Sequence, residues 1–500
     1  MKRILCLILL CTVLASFATL VACSNEPKTP ANISANTTDS TTTTSGEDDY
    51  LDSLEQRVNV SDNLPERNFD GADYVIVGED FREKSYCIDE LDEDNSTRVN
   101  TEIYNRNIRI EDRFGITFKY VGHSGIDASV VSAAIESSFM SQDDAYDLIS
   151  YHAVHAGTLA SKYCLGNWED VPYVDFSQPW WSSSNEDILT HSGVCLLAIG
   201  DASLSTIEST YCVYFNKRYA SDYQFGNLYD TVNSGAWTID YFNNLIRDVY
   251  QDVNNNGADD QDFYGLVTTN GSPVVTFTWA FDNPIFQKNA AGELEYVFKT
   301  EKINDIVTKL SNILYGEPGV YCTKELNNMN FYNMFRNSQS IFCLGVFGQS
   351  LSWTDWEEDY GMIPYPKWDE AQTDYYSMAD GGHAILAYMY GETDVEKVGI
   401  ITEALCAESW KKVVPAYYDI ALKFRGTRDE ESIAMLDKIM DSSVYDFGYL
   451  FDGWRGVAFH LQNVLVRTNA NYESFYKRTS ESAIRHYEEV LDAFAYYYEE

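Results

Sequence analysis

The sequence predicts an α/β chain built as two lobes, and three observations carry that prediction. Residues 72–150 alternate strand, helix, strand, helix, strand, the pattern of a mostly parallel sheet. About 430 residues follow a polar leader, more than a single hydrophobic core comfortably serves. Beyond the first residues, no run offers 18 consecutive apolar side chains that would divert the chain into a bilayer.

The elements follow in order. Ala72-Asp73-Tyr74-Val75-Ile76-Val77-Gly78 reads as a strand, and a helix is expected from about Asn100 to Phe114, closing at Gly115. Ile116 to Val121 is a second strand, Ser129 to Met140 a helix, and Tyr146-Asp147-Leu148-Ile149-Ser150 a third strand. In parallel sheets ligands bind at the carboxyl ends of the strands, which singles out the loop after Ile149. Tyr211 to Tyr219 runs from strand into helix, and Thr238 is placed to cap a helix opening at Ile239. Asp359 to Pro366 and Gly381 to Met389 read as strands, and Asp429 to Met440 has helical spacing.

The amino terminus gives an address. Lys2 and Arg3 precede an apolar run from Ile4 to Val21, which ends in Leu20-Val21-Ala22-Cys23. A basic start, an apolar core and a small residue before the cut describe a secretory signal over 1–22, although the run is also long enough for an anchor. The ending resembles the lipobox of bacterial lipoproteins, which implies cleavage before Cys23, lipidation of its thiol and a position on the outer face of the cell membrane. Residues 23–66 are dominated by Ser, Thr, Asn and acids, too polar to offset their ordering entropy, and are expected to form a disordered tether. Such a leash of about 40 residues reaches roughly 35 Å.

Composition narrows the partners. With 77 acidic against 35 basic residues, the net charge of −42 repels nucleic acid and anionic surfaces and favours neutral or cationic ligands. Of 10 cysteines, two leave with the signal and one takes the lipid, and the odd remainder shows no CxxC pair. Most are expected to be buried small hydrophobes.

Enzyme signatures are thin: no GxSxG elbow, P-loop, HExxH or dinucleotide fingerprint occurs. His152 and His155 form an HxxH pair, a weak metal signal without further ligands. A glycosidase dyad cannot be read out of so many carboxylates. One loop is more specific. Asp252, Asn254 and Asn256 alternate as oxygen donors before Gly257, with Asp260 at the ninth position and Asp262 near the end. That spacing is EF-hand-like and points to a structural calcium ion, although Phe263 stands where a bidentate acid is usual; the alternative is an Asn/Gly turn with a solvated acidic flank. Aromatic residues make up 14% of the chain, and several tryptophans lie in polar, turn-rich segments, where flat rings can cover the C–H faces of a sugar. Core packing is the alternative for each of them.

Several segments together resemble the family 1 extracellular solute-binding proteins of carbohydrate ABC transporters. They are Tyr214 to Arg218, Gly235 to Asp240, Asp252 to Leu266, Asp359 to Lys367 and Glu403 to Ser409. The resemblance implies a periplasmic-binding-protein-like flytrap, two lobes joined by crossing hinge segments, that captures a sugar without chemistry and delivers it to permease subunits. It implies a first lobe of 67–210 plus 367–414 and a second of 211–366 plus 415–500, with crossings near Thr206–Cys212, Pro364 and Val414. It also implies cleft residues: Tyr151 and His152 after the third strand, Glu208 as a hydroxyl-binding acid, and Trp279, Phe347 and Trp454 as aromatics. Trp181, in the Trp180-Trp181 pair, is a further cleft candidate. The expected ligand is an oligosaccharide or another small neutral solute. The competing expectations are a secreted glycoside-processing enzyme and a surface sensor or adhesin on the same fold.

Overall fold

Hydrophobic patterning explains the first sheet. Along Ala72–Glu79 every residue from Ile76 onward is buried, as in a central strand covered on both faces. In the computed structural model this strand pairs in parallel with Ile116–His123 and Leu148–His152, and Ala384–Ala387 adds to the latter antiparallel. The description covers residues 56–500 apart from 89, 92–95, 125–127, 299, 327, 354–355, 424–429, 467–470 and 500. They belong to one compact unit, Ser45–Glu500. The signal, Cys23 and most of the tether lie outside the described residues.

Local capping sets the helices. Arg98–Phe114 starts where Thr97 accepts a hydrogen bond from the Asn100 N–H (3.1 Å) and stops at Gly115, whose φ of 63° needs no Cβ penalty. Thr238 caps Ile239–Ile246 by accepting from the Tyr241 N–H at 3.2 Å. Asn216 ends the strand Tyr211–Asn216 and caps Lys217–Asp222 through the Tyr219 N–H.

The second sheet is mixed. In spatial order it runs Tyr360–Ile363, Tyr211–Asn216, Ser340–Val346, Phe263–Thr269 and Tyr250–Gln251, with Val320–Thr323 also on Phe263–Thr269. Ser340–Val346 is antiparallel to Tyr211–Asn216 and parallel to Phe263–Thr269. Three short stretches join the sheets. Thr210 bridges Ala379, Ser377–Met378 pairs with Ser443–Val444, and the Thr210 and Ser443 hydroxyls lie 2.9 Å apart.

Three expectations shift. Lys367 is not yet in the first lobe: it bridges Thr238, so the chain leaves the second sheet nearer 377–380 than Pro364. The helix Val414–Lys423 packs on Arg98–Phe114, and the last crossing falls at Ser443–Val444 rather than Val414. The tether is also shorter than residue 66, because Asp62 already pairs with Arg113 and Arg57 stacks over Trp410. The seven cysteines from Cys87 onward are free, five of them buried. Among the described residues no helix is long and apolar enough to cross a membrane.

Candidate functional site

The carboxyl ends of Ala72–Glu79 and Leu148–His152 lie side by side, and their last residues begin the site. Successive strand residues face opposite ways. Tyr151 therefore points into the core, fully buried, its hydroxyl 2.9 Å from that of Ser132. His152, one place on, turns out. Its N–H donates to Glu79 at 3.3 Å, and its ring meets His155 edge-on at 4.9 Å. Trp454 stands 6.0 Å from His152 and 5.2 Å from His155. It is 49% exposed, stacks on Phe459 with 10° between the planes, and has φ near 60°, rare for a bulky side chain.

Charged groups gather beside these rings. Glu79 and Arg82 form an almost buried ion pair at 2.7 Å, and Arg82 also donates to the Gly382 carbonyl. Phe81, the most exposed aromatic neighbour at 70%, lies 4.8 Å beneath that guanidinium. From the crossing segments come Asp380, which accepts from the Gly382 N–H (2.9 Å) and the Tyr211 hydroxyl (3.0 Å), and His383 on the Asp380 carbonyl. The Tyr449 hydroxyl accepts from the Gly381 N–H at 2.9 Å. A Cβ on Gly381 would come 2.7 Å from that hydroxyl, so glycine lets the two segments meet.

Burial governs the protonation of these groups. His152 is pushed down to about 4 by burial, then by neighbouring His155; Asp380 opposes this, while Arg82 and His383 add to it. Burial alone does most of the same to His383, also about 4. Both rings are thus neutral near pH 7, able to donate from one nitrogen and accept at the other. Burial raises the Glu208 carboxyl, with Arg82 drawing it back. Glu208 lies against Gly348, at the end of the second sheet. The result is a patch of neutral imidazoles, carboxylates and open ring faces that suits hydroxyl groups and C–H faces.

The sequence candidates separate cleanly. His152 and Trp454 come together and Glu208 joins their charged neighbours, but Tyr151, Trp279, Phe347 and Trp181 are packed away. Trp279 is 3% exposed and donates to Asp446 at 3.0 Å. Phe347 is fully buried against Tyr417. Trp181 and Trp180 both donate to the buried Glu403, at 2.8 and 2.7 Å. Arg82, Asp380 and His383 were missed; the acid and base flanking Asp80-Phe81 and the Gly381-Gly382 pair were the available signals.

The loop at 252–262, expected from its spacing to hold calcium, departs from that expectation by one residue. Asp252 accepts from the Asn256 and Gly257 N–H groups at 3.2 and 3.0 Å, and Asp259 accepts from the side-chain amides of Asn256 and Asn254 at 2.8 and 3.4 Å. Asp260 instead turns to Asn330 at 3.1 Å, and Asp262 is buried on the Val253 N–H and the Tyr250 hydroxyl. Asp252, Asn254, Asn256 and Asp259 thus gather in one turn, with both Asn side chains turning their amide nitrogens to Asp259; the residue types fit a hard cation in kind, with the amides flipped to present oxygen. Among the described residues no three His, Cys, Asp or Glu side chains are gathered as a metal cluster.

No family model and no curated protein sequence matches the chain. Its fold does match solved structures. A galacto-N-biose/lacto-N-biose I-binding protein of an ABC transporter from Bifidobacterium longum, in complex with lacto-N-biose, superposes with a TM-score of 0.54 at 8% identity, covering 85% of this chain and 98% of that one. A maltose/maltodextrin-binding domain from Bdellovibrio bacteriovorus, bound to maltotriose, gives 0.53 at 13% identity over 83% and 100%. An ABC substrate-binding protein from Listeria monocytogenes with cycloalternan gives 0.52 at 9% over 83% and 99%. The architecture is therefore the two-lobed α/β fold of the sugar-binding proteins of ABC transporters.

Proposed function

We propose that this protein reversibly captures a neutral oligosaccharide between its lobes and presents it to the permease of an ABC transporter. The observation that carries the reading is Trp454, half exposed over the His152–His155 pair at the carboxyl edge of the first sheet. A sugar ring would lay its C–H face on the indole. Its hydroxyls would donate to Glu208 and Asp380 and exchange hydrogen bonds with the imidazoles. The solved relatives in fold bind maltotriose, lacto-N-biose and cycloalternan, which supports the saccharide class.

In this reading the lobes meet at 209–211, 377–380 and 442–446, and ligand touching both sides makes the closed arrangement the better binder. Cys23 carries the lipid, and the tether holds the body at the outer face of the membrane. Calcium, held by Asp252, Asn254, Asn256 and Asp259, stiffens the loop without touching the sugar.

A hydrolase remains the competing reading, because a carboxyl raised by burial, as at Glu208, is what an acid catalyst requires. Thermal unfolding and calorimetry against an oligosaccharide panel, followed by analysis of the recovered sugar, separate the two. Ligand at a hundred times its dissociation constant adds about 2.7 kcal/mol. Intact sugar with a raised midpoint supports capture; cleaved sugar establishes the hydrolase, and no response to any saccharide removes the carbohydrate assignment.

A further inference from the structure

Trp454 sits in a turn that the backbone would not choose unaided. Gly453, Trp454 and Gly456 all have positive φ, at 55°, 60° and 95°. A bulky residue keeps such a backbone only where its surroundings over-determine it. Phe459, on which the indole stacks with ring centres 5.2 Å apart, belongs to the same short stretch of chain. Whatever fixes this turn therefore also aims the indole beside His152 and His155.

One carboxylate lies at the centre of the turn. Asp452 is fully buried and accepts from the Gly456 N–H at 2.8 Å and the Ala458 N–H at 3.1 Å. The first of these donors follows Trp454 and the second precedes Phe459, so one side chain gathers both rings. The Asp452 carbonyl also accepts from the Arg455 N–H at 3.0 Å. A further bond comes from another element. The helix Tyr472–Glu499 brings in Tyr487, itself buried, whose hydroxyl proton is shared between the Gly448 carbonyl at 2.7 Å and Asp452 at 3.2 Å. Burial pushes the Asp452 carboxyl up, while the bonds from Gly456, Ala458 and Tyr487, and then nearby His486, draw it back. The three donors thus favour the charged acceptor. His486, beside Tyr487 on the helix, closes the floor of the turn: a Cβ on Gly453 would strike its ring.

We propose that Asp452 is a positioning residue of the cleft, and that Tyr487 makes the last helix part of the binding machinery without touching the ligand. Asp452 holds the indole and its stacking partner as one piece, and Tyr487 ties that piece to the helix beneath. A ring face already fixed in its bound orientation spares the ligand the cost of ordering it, so these groups raise affinity from below the site. Removing the Tyr487 hydroxyl leaves a buried carboxylate short of a donor, a loss the turn meets by loosening. The inference rests on the reading of Trp454 as the face that meets the ligand, and its test separates the two.

The order of Trp454 can be followed without sugar. In the full chain labelled with 5-fluorotryptophan, its fluorine signal is identified by its loss in Trp454→Phe. Asp452→Asn and Tyr487→Phe are each expected to shift and broaden that signal while those of the other tryptophans stay in place. Tyr472→Phe removes a hydroxyl of the same helix that makes no hydrogen bond, and should leave the signal unchanged. Affinity for the saccharide that most raises the thermal midpoint should fall about threefold or more in the first two variants and hold in the third. A Trp454 signal unmoved by either Asp452→Asn or Tyr487→Phe, or a movement of all the tryptophan signals together, would overturn the positioning. A moved signal with undiminished saccharide affinity would uphold it and overturn instead the reading of Trp454 as the ligand face.

Discussion

The Trp180–Trp181 pair and Trp454 use the same side chain for opposite ends. Both indole N–H groups of the pair donate to Glu403, a fully buried carboxyl that burial raises to about 7, and both rings are at most 6% exposed. Trp454 instead leans on Phe459 by stacking and leaves about half its surface open beside His152 and His155. A tryptophan whose N–H is taken by a buried acid is part of the architecture. One held only by stacking, on a left-handed backbone, is free to give its face to a ligand.

Breaking the first member should have the largest effect. Glu403→Leu strands two buried indole N–H groups, and unfolding free energy is expected to fall by about 2–5 kcal/mol in denaturant titrations. Affinity for the cleft ligand, measured above the new transition, should stay close to wild type. Trp454→Ala is expected to do the reverse: a loss of about 1–2 kcal/mol of binding, roughly tenfold in affinity, with little movement of the thermal midpoint.

The histidines sharpen the contrast through pH. Both His152 and His383 lie well below their ordinary value in the folded protein, so only the unfolded chain takes up their protons as the solution is acidified. Their contribution to stability is complete above about pH 6.5 and is lost as pH falls toward 4. Glu403, raised instead, works the other way: it favours the folded state increasingly as pH falls from about 7. Midpoints followed across that window should show the acid loss shrink in His152→Asn and His383→Asn and grow in Glu403→Gln.

The smallest effect belongs to the loop far from both. Calcium should raise the midpoint by a few degrees at most, chelator should reverse it, and Asp252→Ala or Asp259→Ala should abolish the response. Asp260→Ala should leave it intact, because that side chain bonds Asn330 instead. A response lost with Asp260 and kept without Asp259 contradicts the assignment.

Much of the fold was legible because periodicity and caps act locally. Thr97, Gly115, Thr238 and Asn216 each fix an element end through their own side chain or backbone angle. The site was harder for reasons of parity and distance. Tyr151 and His152 differ by one position on a strand, and that single step decides which ring is sealed in the core and which, partly buried, reaches the site. Asp259 and Asp260 differ by one position in a turn. The shift of the second crossing from Pro364 to 377–380 depends on Lys367 bridging Thr238, a pairing 129 residues apart that no local pattern announces. Arg82, Asp380 and His383 come from segments 300 residues apart and meet only through the hinge.

The most direct measurement is calorimetric titration of the oligosaccharide that most raises the midpoint into wild type, Trp454→Ala and Trp181→Phe. Binding is expected to weaken about tenfold in Trp454→Ala and to be retained in Trp181→Phe. Full affinity in Trp454→Ala, or its loss in Trp181→Phe with the fold intact, would place the ligand elsewhere and contradict the cleft proposed here.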